Sequence, residues 1–254
     1  DTGLGTVYAN FEDRNAMFRA MALHLVGDHD ESLRAVRAVK PRFPGSGLLI
    51  RHEFAALVGL EKTNEAMLTL EEWHRGLSPA TDPTDVLWVA GLELAAHGHP
   101  ELAEAAWTLA LEWLGAQPPD VPDSRSNQVG QAILSLYLGQ FDAAEATIRS
   151  LLDAYPEDLP STGMSGVLLA MRGDVEGAKQ VIRDLEGRPS IQPGVRRVWQ
   201  AGIAAHLEDR DRAVEFLREA VREGWGIRNK LHNDYLLTPL HGHPGFEELR
   251  RPKG

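Results

Sequence analysis

Two pairs of imidazoles stand out in the sequence, His97-Gly98-His99 and His241-Gly242-His243. Such pairs can hold Zn or Ni if a carboxylate joins them, and Glu101 and Glu247 lie close in sequence. The same residues suit solvated turns, and that is the expectation for both. His52-Glu53 matches the start of a zinc-protease helix, but that chemistry needs a second His four residues after the first, on the same helix face. Position 56 is Ala, so no metal is expected there. Gly3-Leu4-Gly5-Thr6-Val7-Tyr8 could open a phosphate-cradling loop, yet its third glycine is missing and no catalytic or metal-binding motif of a phosphotransferase follows. It reads as a leader or as the remnant of a preceding element. There is no Walker-type loop and no detectable Ser/His/Asp arrangement. Cysteine is absent, which removes thiolate nucleophiles, disulfides and Cys-based zinc sites. The expectation is no catalytic residue, no metal and no cofactor, hence no enzyme.

Charge narrows the partners. The formal net charge is −11 at pH 7. Phosphate backbones and anionic lipid surfaces both attract basic patches, so neither nucleic acid nor a membrane surface is an expected partner. No apolar run reaches the roughly 18 residues of a spanning helix, so no membrane insertion is expected. The expected compartment is the cytoplasm, although the chain begins at Asp1 without a Met and a leader could have been removed.

If no side chains are set up for chemistry, the elements themselves carry the information, and they repeat. A small residue recurs at Ser32, Ala66, Ala103, Ala144, Ala178 and Ala213, at intervals of 34, 37, 41, 34 and 35 residues. Four residues further come Val36, Leu70, Trp107, Ile148, Ile182 and Leu217, and seven further Val39, Trp73, Ala110, Leu151, Leu185 and Ala220. Spacing of i, i+4, i+7 places all three on one helix face. Twelve residues before each anchor lies Ala20, Phe54, Gly91, Ala132, Gly166 or Ala201, five of the six small. Three residues after those come Leu23, Leu57, Leu94, Ser135, Leu169 and Ala204. A small residue on each of two neighbouring helices lets their backbones approach at the crossing. The turns between read Gly27-Asp28, Leu60-Glu61, Gly98-His99, Gly139-Gln140, Gly173-Asp174 and Glu208-Asp209. Glycine suits a helix stop and aspartate the next N-cap. Pro44 and Pro156 fall where second helices should end. The two longer intervals coincide with Pro-rich inserts at 77–83 and 117–122, and the second, near 116–124, is the candidate break between two subarrays.

A helix–turn–helix of about 34 residues with these small and large positions resembles the tetratricopeptide repeat. Thr84–Leu114 and Arg125–Pro156 match it best. The resemblance implies an all-α fold, an α-α superhelix (solenoid) of about six helical hairpins over residues 12–222. Residues 1–11 then form a leader or the remnant of a preceding element, and residues 223–254 a C-terminal helical cap. Ser135, Phe54 and Ser32 depart from the family pattern. In the tail, Trp225, Leu231, Leu236, Leu240, Phe246 and Leu249 can cover the last helix, in two short helices split at Pro239 and Pro244. Leu231, Asp234, Pro239-Leu240, Pro244, Phe246 and Leu249 also resemble a segment that closes tetratricopeptide regions in bacterial multidomain signalling proteins, which carry a serine/threonine kinase, a nucleotidyl cyclase or a winged-helix regulator. That resemblance implies a sensor or docking arm of such a protein.

In tetratricopeptide arrays the first helix of each pair lines the inner surface. Counted from the anchors, that face holds Arg14, Met17, Met21 and His24, then Arg51, Ala55 and Val58, then Asp85, Trp88, Leu92 and Ala95. Further on come Val129, Ile133, Leu136 and Tyr137, then Val167, Val198 and His206. The lining is largely apolar. It suits a protein or peptide partner, or self-association, better than an acidic ligand. For Val129, Ile133 and Leu136, packing between repeats is an equal expectation. Trp88 and Arg51 are the stronger candidates, because Trp and Arg concentrate at binding hot spots. The two-carboxylate clamp of chaperone-tail binders is not expected, since Leu48, Asp85, Val89 and Gly130 stand at its positions. A small-molecule pocket between this face and the cap, near His206 and Tyr235, is the alternative, and a metal-dependent enzyme at the His pairs is a remote third.

Overall fold

The computed structural model describes residues 15, 18–43, 45–77, 81–117, 124–188, 192–225 and 230–251. Among them every regular element is helical. The first helix, α1, covers residues 18–25. It is followed by α2 (His29–Val39), α3 (Gly47–Gly59), α4 (Thr63–Arg75), α5 (Thr84–Ala96) and α6 (Pro100–Gly115). Then come α7 (Ser124–Tyr137), α8 (Phe141–Ala154), α9 (Leu159–Met171), α10 (Val175–Glu186), α11 (Val195–His206) and α12 (Arg210–Arg222). The tail holds α13 (Lys230–Asn233), a 3₁₀ turn (Tyr235–Leu240) and α14 (Pro244–Arg250). Consecutive helices pair as anticipated, giving six hairpins. The chain divides into two compact units, one up to Ala106 and the other from Trp107 to Lys253.

The repeated positions explain the hairpins. All six anchors, Ser32, Ala66, Ala103, Ala144, Ala178 and Ala213, are 0% exposed. Their counterparts Ala20, Phe54, Gly91, Ala132, Gly166 and Ala201 are buried too. At Gly166 the approach is so close that a Cβ would stand 2.4 Å from Ile203 and 2.8 Å from Val181. Each turn closes with the same backbone hydrogen bond. The Asp28, Lys62, His99, Gln140, Asp174 and Asp209 amides donate to the carbonyls of Leu23, Leu57, Leu94, Ser135, Leu169 and Ala204. This is the Schellman arrangement, in which the residue before the donor takes a left-handed conformation. That residue is Gly27, Gly98, Gly139 or Gly173 in four turns and Glu61 (φ 60°) or Glu208 (φ 64°) in the other two. Asp28, Asp174 and Asp209 then cap the following helices through their side chains.

Two local expectations change. Pro239 does not split two helices but sits inside the 3₁₀ turn, and only Pro244 starts a helix. A 3₁₀ turn is bonded i→i−3, so proline there does not interrupt the i→i−4 ladder that it breaks in an α-helix. After α2 the chain continues as a short 3₁₀ turn, Lys40–Arg42; Pro44, expected to end that helix, lies outside the described residues. The tail covers α12 with five of the six expected side chains, and Leu237 stands in that core where Leu236 was expected. Leu231, Leu240, Phe246, Leu249 and Trp225 join Phe216, Leu217 and Ala220 of α12 in one core.

Candidate functional site

In the first unit, α3 packs beside α5. Arg51 of α3 pairs with Asp85 at the start of α5, 34 residues away. The pair is open to solvent, with 24% of the Arg51 side chain and 70% of the Asp85 side chain exposed. Trp88 and Leu92 follow on the same face of α5, at i+3 and i+7 from Asp85, and both are half-buried. Met21 on α1 is half-buried as well. Arg14, Met17 and the Gly3–Tyr8 stretch lie outside the described residues.

Most of the other first-helix candidates are buried, and Ala95, Val129, Val198 and His206 are half-buried. His24 is 5% exposed, and Ala55 and Val58 are buried. In the second unit Ile133, Leu136 and Tyr137 are 5%, 1% and 7% exposed, and Val129 is half-buried. The Tyr137 ring lies 5.0 Å from Trp107 and 5.1 Å from Tyr235. The C-terminal segment therefore covers this end of α7. Ile133, Leu136 and Tyr137 are enclosed within the unit, while Val129 stays half-open.

Both imidazole pairs diverge. His97 turns toward Glu93, while His99 bonds the Thr63 hydroxyl at 3.0 Å. His241 stacks on Phe246, while His243 reaches Asp211 at 3.0 Å. Among the described residues no group of three or more His, Asp or Glu could hold a metal ion. His52 is buried away from solvent, and burial together with Arg51 pushes its pKa down to about 4.

The sequence reading missed a polar cluster inside the first unit. His24 of α1 sits 3.3 Å from the Glu93 carboxylate and 3.2 Å, nitrogen to nitrogen, from His29 of α2. His97 Nε2 is 3.9 Å from the same carboxylate. The His24, His29 and His97 rings stand 4.9–6.5 Å apart. Glu93 is 2% exposed. Burial, then the charges of His24 and His97, lower the pKa of His29. The one available signal was Glu93 itself, a lone carboxylate in the apolar run Gly91-Leu92-Glu93-Leu94-Ala95-Ala96. Burying such a charge demands partners. Its partners come from 24, 29 and 97, at no shared period, so spacing could not assemble them.

In the second unit a half-enclosed cavity of about 90 Å³ lies between α11 and the C-terminal segment, lined by Val195, Val198, Trp199, Trp225, Asp234 and Leu236. Neither His206 nor Tyr235 lines it. Leu236 does contact His206, whose pKa falls through burial, partly offset by a Leu236 backbone hydrogen bond.

Residues 129–190 match the tetratricopeptide repeat family. This stretch is a tetratricopeptide repeat region. It spans α7 to α10, two of the six hairpins. A tetratricopeptide repeat protein from Parabacteroides merdae shares the fold over 94% of this chain and 84% of its own, at 15% identity and a TM-score of 0.53. More distant likenesses are PilW, a type IV pilus biogenesis factor (18% identity, 82% of this chain and 91% of that one, TM-score 0.46), and PilF of Pseudomonas aeruginosa (14% identity, 91% and 98%, TM-score 0.46). No curated protein matches the chain. The tetratricopeptide hairpins thus account for the fold. Among the described residues no helix is long and apolar enough to cross a membrane.

Proposed function

We propose that this chain is a non-catalytic interaction module that holds a protein or peptide segment against the first helices of its tetratricopeptide pairs. The observation that carries the reading is on α3 and α5: a solvent-open Arg51–Asp85 pair beside half-buried Trp88 and Leu92. An aromatic anchor next to adaptable charges is the usual composition of a protein-binding hot spot. The acidic net charge favours a segment with basic residues at its ends over nucleic acid. The resemblance of the tail to that of signalling proteins supports a role as their sensor or docking arm.

Selection of binders from a displayed peptide library, followed by titration against Trp88→Ala and Arg51→Ala, tests the surface. Loss of Trp88 should weaken a selected peptide by about 2 kcal/mol or more. Equal affinity for wild type and both variants would remove α3 and α5 as the docking face.

A second reading, a small-molecule sensor, draws on the cavity between α11 and the tail. A thermal-shift screen separates the two, since a ligand that binds only the folded state raises Tm with concentration.

A further inference from the structure

We propose that the outer face of α1, carried by Phe18, Ala22 and Val26, is the interface of a two-fold symmetric dimer, where it packs against the same face of a second copy of this chain. This face is distinct from the one on α3 and α5 proposed to hold a peptide, and either can fail alone.

The repeat shows what the face is shaped for. Phe18 and Ala22 stand fourteen and ten residues before the anchor Ser32. In the last hairpin these two places are held by Trp199 and Ile203 of α11. There they lie over glycines of α9, the first helix of the hairpin before. A Cβ on Gly163 would stand 2.2 Å from Trp199, and one on Gly166 2.4 Å from Ile203. These are therefore the positions with which a first helix meets the hairpin that precedes it. At the second place, Ala56, Glu93, Leu134, Leu168 and Ile203 are 0–4% exposed in the later hairpins. At the first place, His52, Val89, Gly130, Met164 and Trp199 are buried or half-buried. Only α1 exposes both: Ala22 is open to solvent and Phe18 is 64% exposed. Val26, one turn further along and 57% exposed, extends the stripe, and its amide still donates to the Ala22 carbonyl at 3.1 Å.

The stripe fits itself. With a two-fold axis passing Ala22, two copies of α1 run antiparallel and the small residue sits at their crossing. Phe18 of each copy then covers Val26 of the other. Charge favours the same direction. Arg19, its side chain 64% exposed, lies beside Phe18, while Asp28 and Asp30 are exposed just past Val26. Antiparallel helices bring Arg19 of one copy toward Asp28 and Asp30 of the other, whereas parallel helices set like charges side by side.

Head-to-tail stacking has no bare face to use, because α12 of the last hairpin is already covered by Leu240, Phe246 and Leu249 of the tail. The contact therefore closes at two copies. A crossing of two such short helices falls below the roughly 1,200–2,000 Å² of a standard interface, so the dimer assembles only at micromolar concentrations and above.

Sedimentation equilibrium of the full chain from about 1 µM to 1 mM should show the mean mass rising from one chain toward two. Ala22→Glu sets two carboxylates against each other at the axis and should weaken association by about 100-fold. Ala22→Lys should do the same. An equimolar mixture of the two variants should dimerise again, because opposite charges then meet. Ala22 is exposed, so the hairpin tolerates both changes. Should a charged variant melt early, Phe18→Ser is read in its place and should also lose association. One chain mass at every concentration overturns the proposal and leaves the face to another occupant. So does a dimer that survives Ala22→Glu unweakened, or a mixture that stays monomeric after each variant alone has lost association.

Discussion

Ser32 donates its hydroxyl to the Ala20 carbonyl at 2.8 Å, joining the two helices of the first hairpin at the crossing where the other five carry alanine at the anchor. Both residues are 0% exposed. Ser32 is therefore not a lapse from the repeat pattern but a small residue with a bond of its own. Ser32→Ala keeps the close approach and should cost about 0.5–1.5 kcal/mol, one buried hydrogen bond. Ser32→Leu overfills the crossing and should cost more, of order 1–3 kcal/mol beyond that. Urea midpoints of the two variants give the ranking, and equal values would mean that the crossing has slack.

Glu61 and Glu208 occupy the left-handed position that glycine fills in the other four turns between paired helices. Both are exposed, so neither side chain has burial to set against its backbone. A left-handed conformation costs a non-glycine residue about 1–2 kcal/mol, part of which glycine returns as chain entropy. Glu61→Gly and Glu208→Gly should each stabilise the protein by about 0.5–1 kcal/mol. Chemical denaturation tests both, and a loss of stability in either would show that its turn is strained for another reason.

These turns mark how far the sequence could be read. Leu23, Leu57, Leu94, Ser135, Leu169 and Ala204 each offer the carbonyl that closes a turn, and a carbonyl tolerates any side chain. That is why Ser135 can break the apolar pattern without breaking the hairpin. Helix pairing depends on local periodicity, so it was legible. The Glu93 cluster depends on helices α1, α2 and α5 meeting in space, and nothing in a single helix announces its partners. Exposure was equally hidden. Ile133 and Leu92 stand at the same place in the repeat, eleven residues before Ala144 and Ala103, yet Ile133 is enclosed while Leu92 stays half-open.

Gly163 and Gly166 set two forces against each other. Alanine is the better helix former by about 1 kcal/mol, so propensity alone predicts a gain in α9. Packing predicts the reverse. A Cβ on Gly163 would lie 2.2 Å from the Trp199 indole, and one on Gly166 would lie 2.4 Å from Ile203. Ile203 is 0% exposed and has nowhere to move, whereas Trp199 is half-buried and can yield. Gly166→Ala should therefore lose about 1–3 kcal/mol, and Gly163→Ala less. Thermal melts give the order, and a stabilised Gly166→Ala would mean that α9 and α11 are less closely packed than described.

Asp158 ties α7 to α9. Its side chain caps α9 by accepting from the Ser161 amide at 2.8 Å and the Ser161 hydroxyl, and it also receives the Arg125 guanidinium of α7. Burial raises its pKa, but the bonds from Ser161 and Arg125 outweigh that and leave the carboxyl below its ordinary value. Asp158→Ala removes a cap and a charged bond together and should cost about 2–4 kcal/mol at pH 7. A lowered carboxylate stabilises the fold above its unfolded value near 3.8 and loses that contribution as pH falls through the folded value. The gap between wild type and variant should therefore narrow below pH 4, once the wild-type carboxyl is itself protonated. Urea titrations of both proteins from pH 7 down to the lowest pH at which they stay folded would show the convergence. A gap independent of pH would assign the loss to packing around the side chain instead of to its charge.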